Sequence, residues 1–320
     1  MKIDKIRVYR QGKPAELDAV TVGDTQVAIQ GTLPRLAVVP NEWINSAHNP
    51  TEIIRVLRQE ALADIFVFWE LFPESSLRHA FPMELVPISA LPITSHDEWL
   101  SDQIRKEVRK NIKKAARRGV EIRRVEFNDS LVSGMTRIFN EAKVRQGKPF
   151  WHYGKTVENV KDEMGQDLHR SHFIGAYFED ELIGFYKLII ERCFAQPVMS
   201  LSMIRHRDKY ADTALISEAV RLCAEYRLQY MTYDEWRRDN HKEFLESHGF
   251  SRLLVPRYYV PLTYRGSVCL KLKTHKGLKQ AVRGLLPDSL LSVALRLRSR
   301  WYQLALRPPT HVELDTTIKG

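Results

Sequence analysis

A chain of 320 residues with 44% hydrophobic content has the makings of a globular protein with a sizeable core and about two domains. Its formal charge of +10 and pI near 9.4 point to an anionic partner: nucleic acid, a nucleotide-linked donor, an anionic saccharide or the cytoplasmic face of a membrane. The opening MKIDKIRVYRQG lacks the apolar run of a secretory signal. The most apolar stretch, Ile65 to Phe72, is far short of the ~20 residues that span a bilayer, and Cys193, Cys223 and Cys269 have neither disulfide-framework nor metal-ligand spacing. These features predict a cytoplasmic protein without a metal.

Residues 1–94 read as a small α/β unit. Lys5 to Tyr9, Thr21 to Gln30 and Leu36 to Val39 are short strand patterns. Pro50 opens a helix with Ile53, Ile54, Leu57, Ala61 and Leu62 on one face, and Ile65 to Trp69 reads as a buried strand. Pro73, Pro82, Pro87 and Pro92 then predict a linker or irregular connection.

Ser95 with Glu98 fits a capping box opening one helix that runs to Gly119. Within it Arg109, Lys110, Lys113, Lys114 and Arg117 recur at four-residue steps between Val108, Ile112 and Ala115. The pattern makes a basic stripe backed by an apolar one. Such a stripe either contacts a polyanion or is merely a solvated face.

Residues 120–265 alternate strand and helix. The segment Arg145 to Lys155 is a loop that crowds Arg145, Lys148, Trp151, His152, Tyr153 and Lys155 together. It suits stacking on a sugar or base and pairing with an anion, or else plugs the core with Phe150 and Trp151. His172 to Phe178 and Glu181 to Ile190 form a hairpin turning at Glu179-Asp180, and Ala195 to Ile204 a third strand. The loop Arg205-His206-Arg207-Asp208-Lys209 leads into a helix for which Asp212 looks like the N-cap. A short strand, Gln229 to Tyr233, precedes Asp234-Glu235. A helix from Asn240 ends at Gly249-Phe250, and Leu253 to Val255 and Tyr258 to Leu262 close the sheet. Residues 266–320 read as a basic amphipathic tail that docks on its own domain or lies on a membrane surface.

The hairpin GAYFEDELIGFYKLII (Gly175 to Ile190), the loop-helix IRHRDKYADTALISEAV and the segment DNHKEFLESHGF (Asp239 to Phe250) resemble the GNAT N-acyltransferases. The basic helix RKEVRKNIKKAARRGVEI (Arg105 to Ile122) is similar to that of Fem-type transferases, including relatives associated with exopolysaccharide. The resemblance covers about residues 95–265. It implies a GNAT fold, a mixed and mostly antiparallel central sheet flanked by helices, with residues 1–94 a degenerate second half. It also implies an acyl or aminoacyl transferase acting on an amine of an amino-sugar or peptide in cell-envelope or exopolysaccharide assembly.

The resemblance places catalysis between two splayed strands. Asp234 and Glu235 would be bases, His206 would follow, and Tyr258 would be a proton donor. Arg205, Arg207, Lys209 and Asn240 would bind the donor, either acyl-CoA or aminoacyl-tRNA. The Arg145 to Lys155 loop would bind a saccharide or peptide precursor. One departure bears on the donor. GNAT enzymes cradle the coenzyme A pyrophosphate with a glycine-rich loop, and Arg205 to Asp212 has no glycine. Two alternatives follow: a plain acyl-CoA N-acyltransferase gripping phosphate through Arg205, Arg207 and Lys209, or a non-catalytic polyanion- or membrane-surface-binding protein on the same scaffold.

Overall fold

A computed structural model describes residues 2–276 except residues 43, 71, 74–77 and 237–239, and the side chains at 234, 240, 241 and 276 are likewise outside the described set. Among the described residues, a mixed sheet of 12 strands runs in the order β1-β2-β3-β4-β5-β14-β6-β13-β12-β11-β10-β7, with β8 and β9 paired separately. The first half comprises β1 (Asp4–Arg10), β2 (Lys13–Val22), β3 (Thr25–Gln30), β4 (Leu36–Val38) and β5 (Ile65–Trp69), with helix α1 (Pro50–Gln59) between the last two. Asn49 caps α1 by accepting the Glu52 N–H, and Ile53, Ile54 and Leu57 bury its apolar face.

Next come β6 (Met83–Pro92), α2 (His96–Glu98), α3 (Lys106–Arg117), β7 (Glu121–Val125), α4 (Asp129–Phe139), the two-residue strands β8 (Val144–Arg145) and β9 (Lys148–Pro149), and α5 (Val157–Met164). Then follow β10 (Ser171–Phe178), β11 (Glu181–Glu191), β12 (Phe194–Ser202), α6 (Ala211–Glu225), β13 (Tyr230–Glu235), α7 (Asn240–Ser247), β14 (Ser251–Pro261) and α8 (Tyr264–Lys271). The sheet is mostly antiparallel, the exceptions being β4 with β5 and β12 with β13. β11 is buried continuously from Leu182 to Ile189, the pattern of a strand covered on both faces. The α4 backbone approaches it closely at Gly134, where a Cβ would sit 2.7 Å from Leu182. The main core joins this strand to Trp99, Met135, Phe139, Leu215 and Val220.

Four local expectations are corrected. Met83–Pro92 is a central strand rather than an irregular connection. Pro87 lies beside the bulge of β13 between Thr232 and Glu235, and there its carbonyl accepts the Trp236 N–H at 2.8 Å. The single helix expected over 95–119 is two. After Ser95 caps α2, a π-helical turn (Trp99–Gln103) runs into extended backbone at Ile104, and the Arg105 N–H is donated to the Ser247 carbonyl instead of a helical one. The Arg205 to Lys209 loop is a 3-10 turn, Ile204–Lys209. Finally, α6 is capped by Tyr210 in the left-handed region (φ 60°), with Asp212 inside the first turn. Of the tail, α8 and a 3-10 turn at Thr274–Lys276 are described; residues 277–320 lie outside the described set.

Candidate functional site

Among the described residues the sheet opens between β12 and β13. β12 and β13 pair only through Phe194 with Tyr230 and Ala195 with Met231. β12 then stays with β11, while β13 bulges along β6, so the two parallel strands part. Across the opening the Ser200 and Tyr233 hydroxyls lie 2.5 Å apart. Behind them the Tyr186 phenol is fully buried, and burial first, then Tyr233 and Asp212, hold its pKa well above the ordinary value.

Two cavities meet at this opening and share Ile44, Asn45 and Tyr233. The larger is a cleft of about 660 Å³ walled by the β1–β2 hairpin, the Trp151-His152 segment and the end of α5, with Lys187, Gln196 and Ser200 also in its lining. The smaller is a mostly apolar slot lined by Trp69, Phe72, Ile88, Phe194 and Val255. A cleft thus joins Trp151 and His152 to Tyr233, the neighbour of Asp234 in β13.

Lys187 was invisible to motif reading, though a lysine inside the apolar run LIGFYKLII is an anomaly that could have singled it out. It is 3% exposed, and its ammonium donates to the Met164 and Gln166 carbonyls at 2.9 and 2.5 Å. Burial pushes its pKa down to about 8. Gln196, Ser200 and Tyr233 were also missed, because only the strand pairing brings them together.

The predicted substrate-binding loop divides. Trp151 and Tyr153 are exposed, and Lys148 lies in β9 on the surface. His152 and Lys155 turn inward onto the buried Glu163, the imidazole Nδ1 3.5 Å from its carboxylate, and His152 stacks on Phe139. Burial raises the Glu163 pKa, but hydrogen bonds from His152 and Lys155 outweigh it and hold the carboxyl below the ordinary value. The hairpin tip rests on this cluster: Arg7 and Tyr9 donate to Asp162, and a Cβ at Gly12 would sit 3.1 Å from Trp151 O and 3.3 Å from His152 Nδ1.

Arg145 is drawn inside as well, donating to Ser202 O at 2.8 Å, Ile138 O at 3.0 Å and the Glu141 carboxylate at 2.9 Å. That carboxylate accepts the backbone N–H groups of Ile204 and Arg205 at 2.7 and 2.9 Å. Two of the backbone donors at the strand-helix junction are therefore filled from within the chain. Around them Arg205 pairs with Glu181, His206 sits 3.5 Å from Glu181 and Lys209 lies 3.8 Å over the Phe178 ring, while Arg207 is exposed. His206 and the predicted donor cations thus gather at the junction, apart from the two cavities' linings.

Tyr258 is packed in the first half's core against Phe68, ring centroids 5.1 Å apart, and lines neither cavity. Glu235 ends β13, paired with Ile88. Asp234 lies in β13 and Asn240 opens α7, but both side chains are outside the described residues.

The basic stripe of α3 is real in part. Lys110, Lys113 and Arg117 are exposed, whereas Arg109 donates to the Leu100 carbonyl at 3.2 Å. Lys114 and Arg118 lie over the Tyr210 ring, and Arg118 pairs with Asp208 at 3.6 Å. This end of α3 therefore abuts the Ile204–Lys209 turn. Among the described residues no three His, Cys, Asp or Glu side chains gather as metal ligands, and no helix is long and apolar enough to cross a membrane.

No family model and no curated protein matches this chain. Solved structures do. L-PGS from Bacillus licheniformis aligns with a TM-score of 0.55 at 11% identity, over 81% of this chain and 88% of that one. The C-terminal domain of a protein described as a lysylphosphatidylglycerol synthetase, from Agrobacterium fabrum, aligns at 0.51 and 13% identity over 85% and 89%. FemX aligns at 0.46 and 11% identity over 80% and 87%. What the chain shares with L-PGS and the Agrobacterium fabrum domain is the fold: a mixed, mostly antiparallel sheet flanked by helices.

Proposed function

We propose that this chain is an acyl or aminoacyl transferase that joins an acyl group to an amine at the opening between β12 and β13. The observation that carries this reading is the parting of those strands beyond Ala195 and Met231, with Tyr233 lining both cavities and bonded to Ser200 of the larger one. Two cavities joined at one hydroxyl pair suit a reaction between two substrates. The amine attacks the donor carbonyl and forms the C–N bond. The bond to the donor's leaving oxygen or sulfur breaks, and the leaving group takes a proton, which Tyr233 is placed to supply. Asp234 keeps the role of base on its strand position alone.

The donor we infer is an aminoacyl-tRNA. Glu141 occupies two backbone N–H groups of the turn that leads into α6, and Asp212 adds a negative charge to that helix's first turn, both of which disfavour a pyrophosphate there. The exposed face of α3 and the turn beside it offer side-chain cations suited to a nucleic-acid backbone. The acceptor is an amine of an envelope or exopolysaccharide precursor. The partly occupied junction also favours a second reading, a non-catalytic scaffold that only binds polyanions. Binding and single-turnover transfer, measured with acyl-CoA and with charged tRNA, separate these. Transfer from charged tRNA alone supports the first reading, tRNA binding without transfer the second, and transfer from acyl-CoA overturns the donor assignment.

A further inference from the structure

The larger cleft has a lining of unusual chemistry. Its charged groups are already engaged within the wall. Arg7 is paired with Asp162 at 3.1 Å, Glu163 with Lys155, Asp167 with Arg170 at 3.0 Å, and Lys187 donates to two backbone carbonyls. The cleft's uncharged polar lining is mostly carboxamide: Gln11, Gln26, Asn41 and Gln196, with Gln166, whose nitrogen donates to the Asp162 carbonyl at 3.0 Å, and Asn45, which is held by the Pro40 carbonyl and Arg170. A carboxamide both donates and accepts, and so does a hydroxyl, whereas a phosphate or carboxylate ligand only accepts and calls for cations. Gln196 shows the arrangement best. It is buried at 8% exposure, and its oxygen accepts from the Thr232 hydroxyl at 3.2 Å. That leaves the amide nitrogen, which has no partner among the described residues, to donate.

At the mouth of this cleft stands Trp151, 56% exposed in a protein where Trp99 and Trp69 are buried. It also lines an adjoining groove of about 580 Å³ with Tyr153, itself 39% exposed. An indole is a flat apolar surface with one polar edge, and the apolar C–H face of a pyranose ring stacks on it while the ring's hydroxyls point outward to polar partners. From the carboxamide-rich lining and the exposed aromatic pair together, we infer that the cleft and groove bind a saccharide chain free of acidic groups, more than one ring long, with one ring on Trp151 and another toward Tyr153. This deepens the transferase reading, and rests on it only for the claim that an amine on that saccharide is the group acylated.

The test is a binding titration of the full chain, followed by protein fluorescence, with the N-acetylglucosamine trimer, the glucosamine trimer, a cello-trimer, a heparin tetrasaccharide and a neutral tetrapeptide as probes. The expected result is saturable binding of at least one uncharged trimer, with an affinity that does not change with salt. Trp151→Ala, a surface change that leaves folding intact, weakens it about tenfold or more, Trp151→Phe restores most of the loss, and Gln196→Ala weakens it about fivefold. The inference is overturned if no uncharged saccharide binds, if Trp151→Ala leaves binding unchanged, or if the heparin fragment or the peptide is preferred. The same probes then go into the transfer assay. Saccharide binding without transfer from any donor sinks the transferase reading and leaves this site standing. Transfer to a peptide amine without saccharide binding does the reverse.

Discussion

The Glu141 carboxylate accepts the backbone N–H of Arg205 at 2.9 Å, with the guanidinium of Arg145 held against its other side. One side chain thereby does what a bound anion does at many strand-helix junctions, satisfying N–H groups that the turn leaves without partners. Arg145 is 12% exposed, so removing its carboxylate strands a buried cation as well. Glu141→Ala should cost about 3 kcal/mol of stability, and Glu141→Gln, which keeps an acceptor, about 1 kcal/mol. Urea unfolding of both variants checks the order; a Glu141→Ala cost near zero would show that the junction does not depend on this link.

Lys187 gives a pH signature. Its pKa is about 8 in the folded chain against an ordinary value of 10.5, so the unfolded chain binds the proton more tightly. Between those values stability rises with pH; below about 8 both states are protonated and the penalty of burying the charge is fully present. The rise amounts to as much as about 3 kcal/mol across the window. Lys187→Met removes it, so the stability difference between the two proteins should change from neutral to alkaline pH. Parallel pH curves would contradict the burial of a titrating ammonium.

The exposed cations of α3 predict a salt effect. Replacing Lys110, Lys113 and Arg117 together by alanine should weaken tRNA binding and reduce the slope of log affinity against log salt by about 2 to 3, roughly one per lost phosphate contact. An unchanged slope would make the helix a solvated face.

Helix α8 meets the first half so closely at Gly266 that a Cβ there would run into the Asp64 carbonyl. Gly266→Ala should therefore cost about 2 kcal/mol or more even though alanine is the better helix former. A stabilised Gly266→Ala protein would mean that α8 docks differently.

Much of this architecture is legible in local chemistry. Ile65–Trp69 is a strand because an unbroken apolar run is buried throughout, and Glu179-Asp180 turns the β10–β11 hairpin because both residues adopt positive φ (51° and 60°). Other features are decided by partners far along the chain. Met83–Pro92 becomes a central strand despite Pro87, since β14 pairs with it along almost its whole length. The α2–α3 break at Ile104 is held by Ser247, well over a hundred residues away.

The site follows the same division. Trp151 is conspicuous in a polar loop and does line the cleft. His152 and Lys155 look identical in kind, yet they are committed to Glu163, and Arg145 to Glu141. Ser200 and Tyr233 carry no local signal, because their meeting depends on where two parallel strands stop pairing.

The most direct measurement is single-turnover transfer of a labelled aminoacyl group from charged tRNA to an amine-bearing saccharide, comparing the unmodified chain with Tyr233→Phe and Asp234→Asn. The unmodified chain should transfer. Each variant should slow the step by about 10²-fold, the scale of a lost proton-transfer group, while binding tRNA as before. Full rates in both variants would contradict a reaction centred on the opening between β12 and β13.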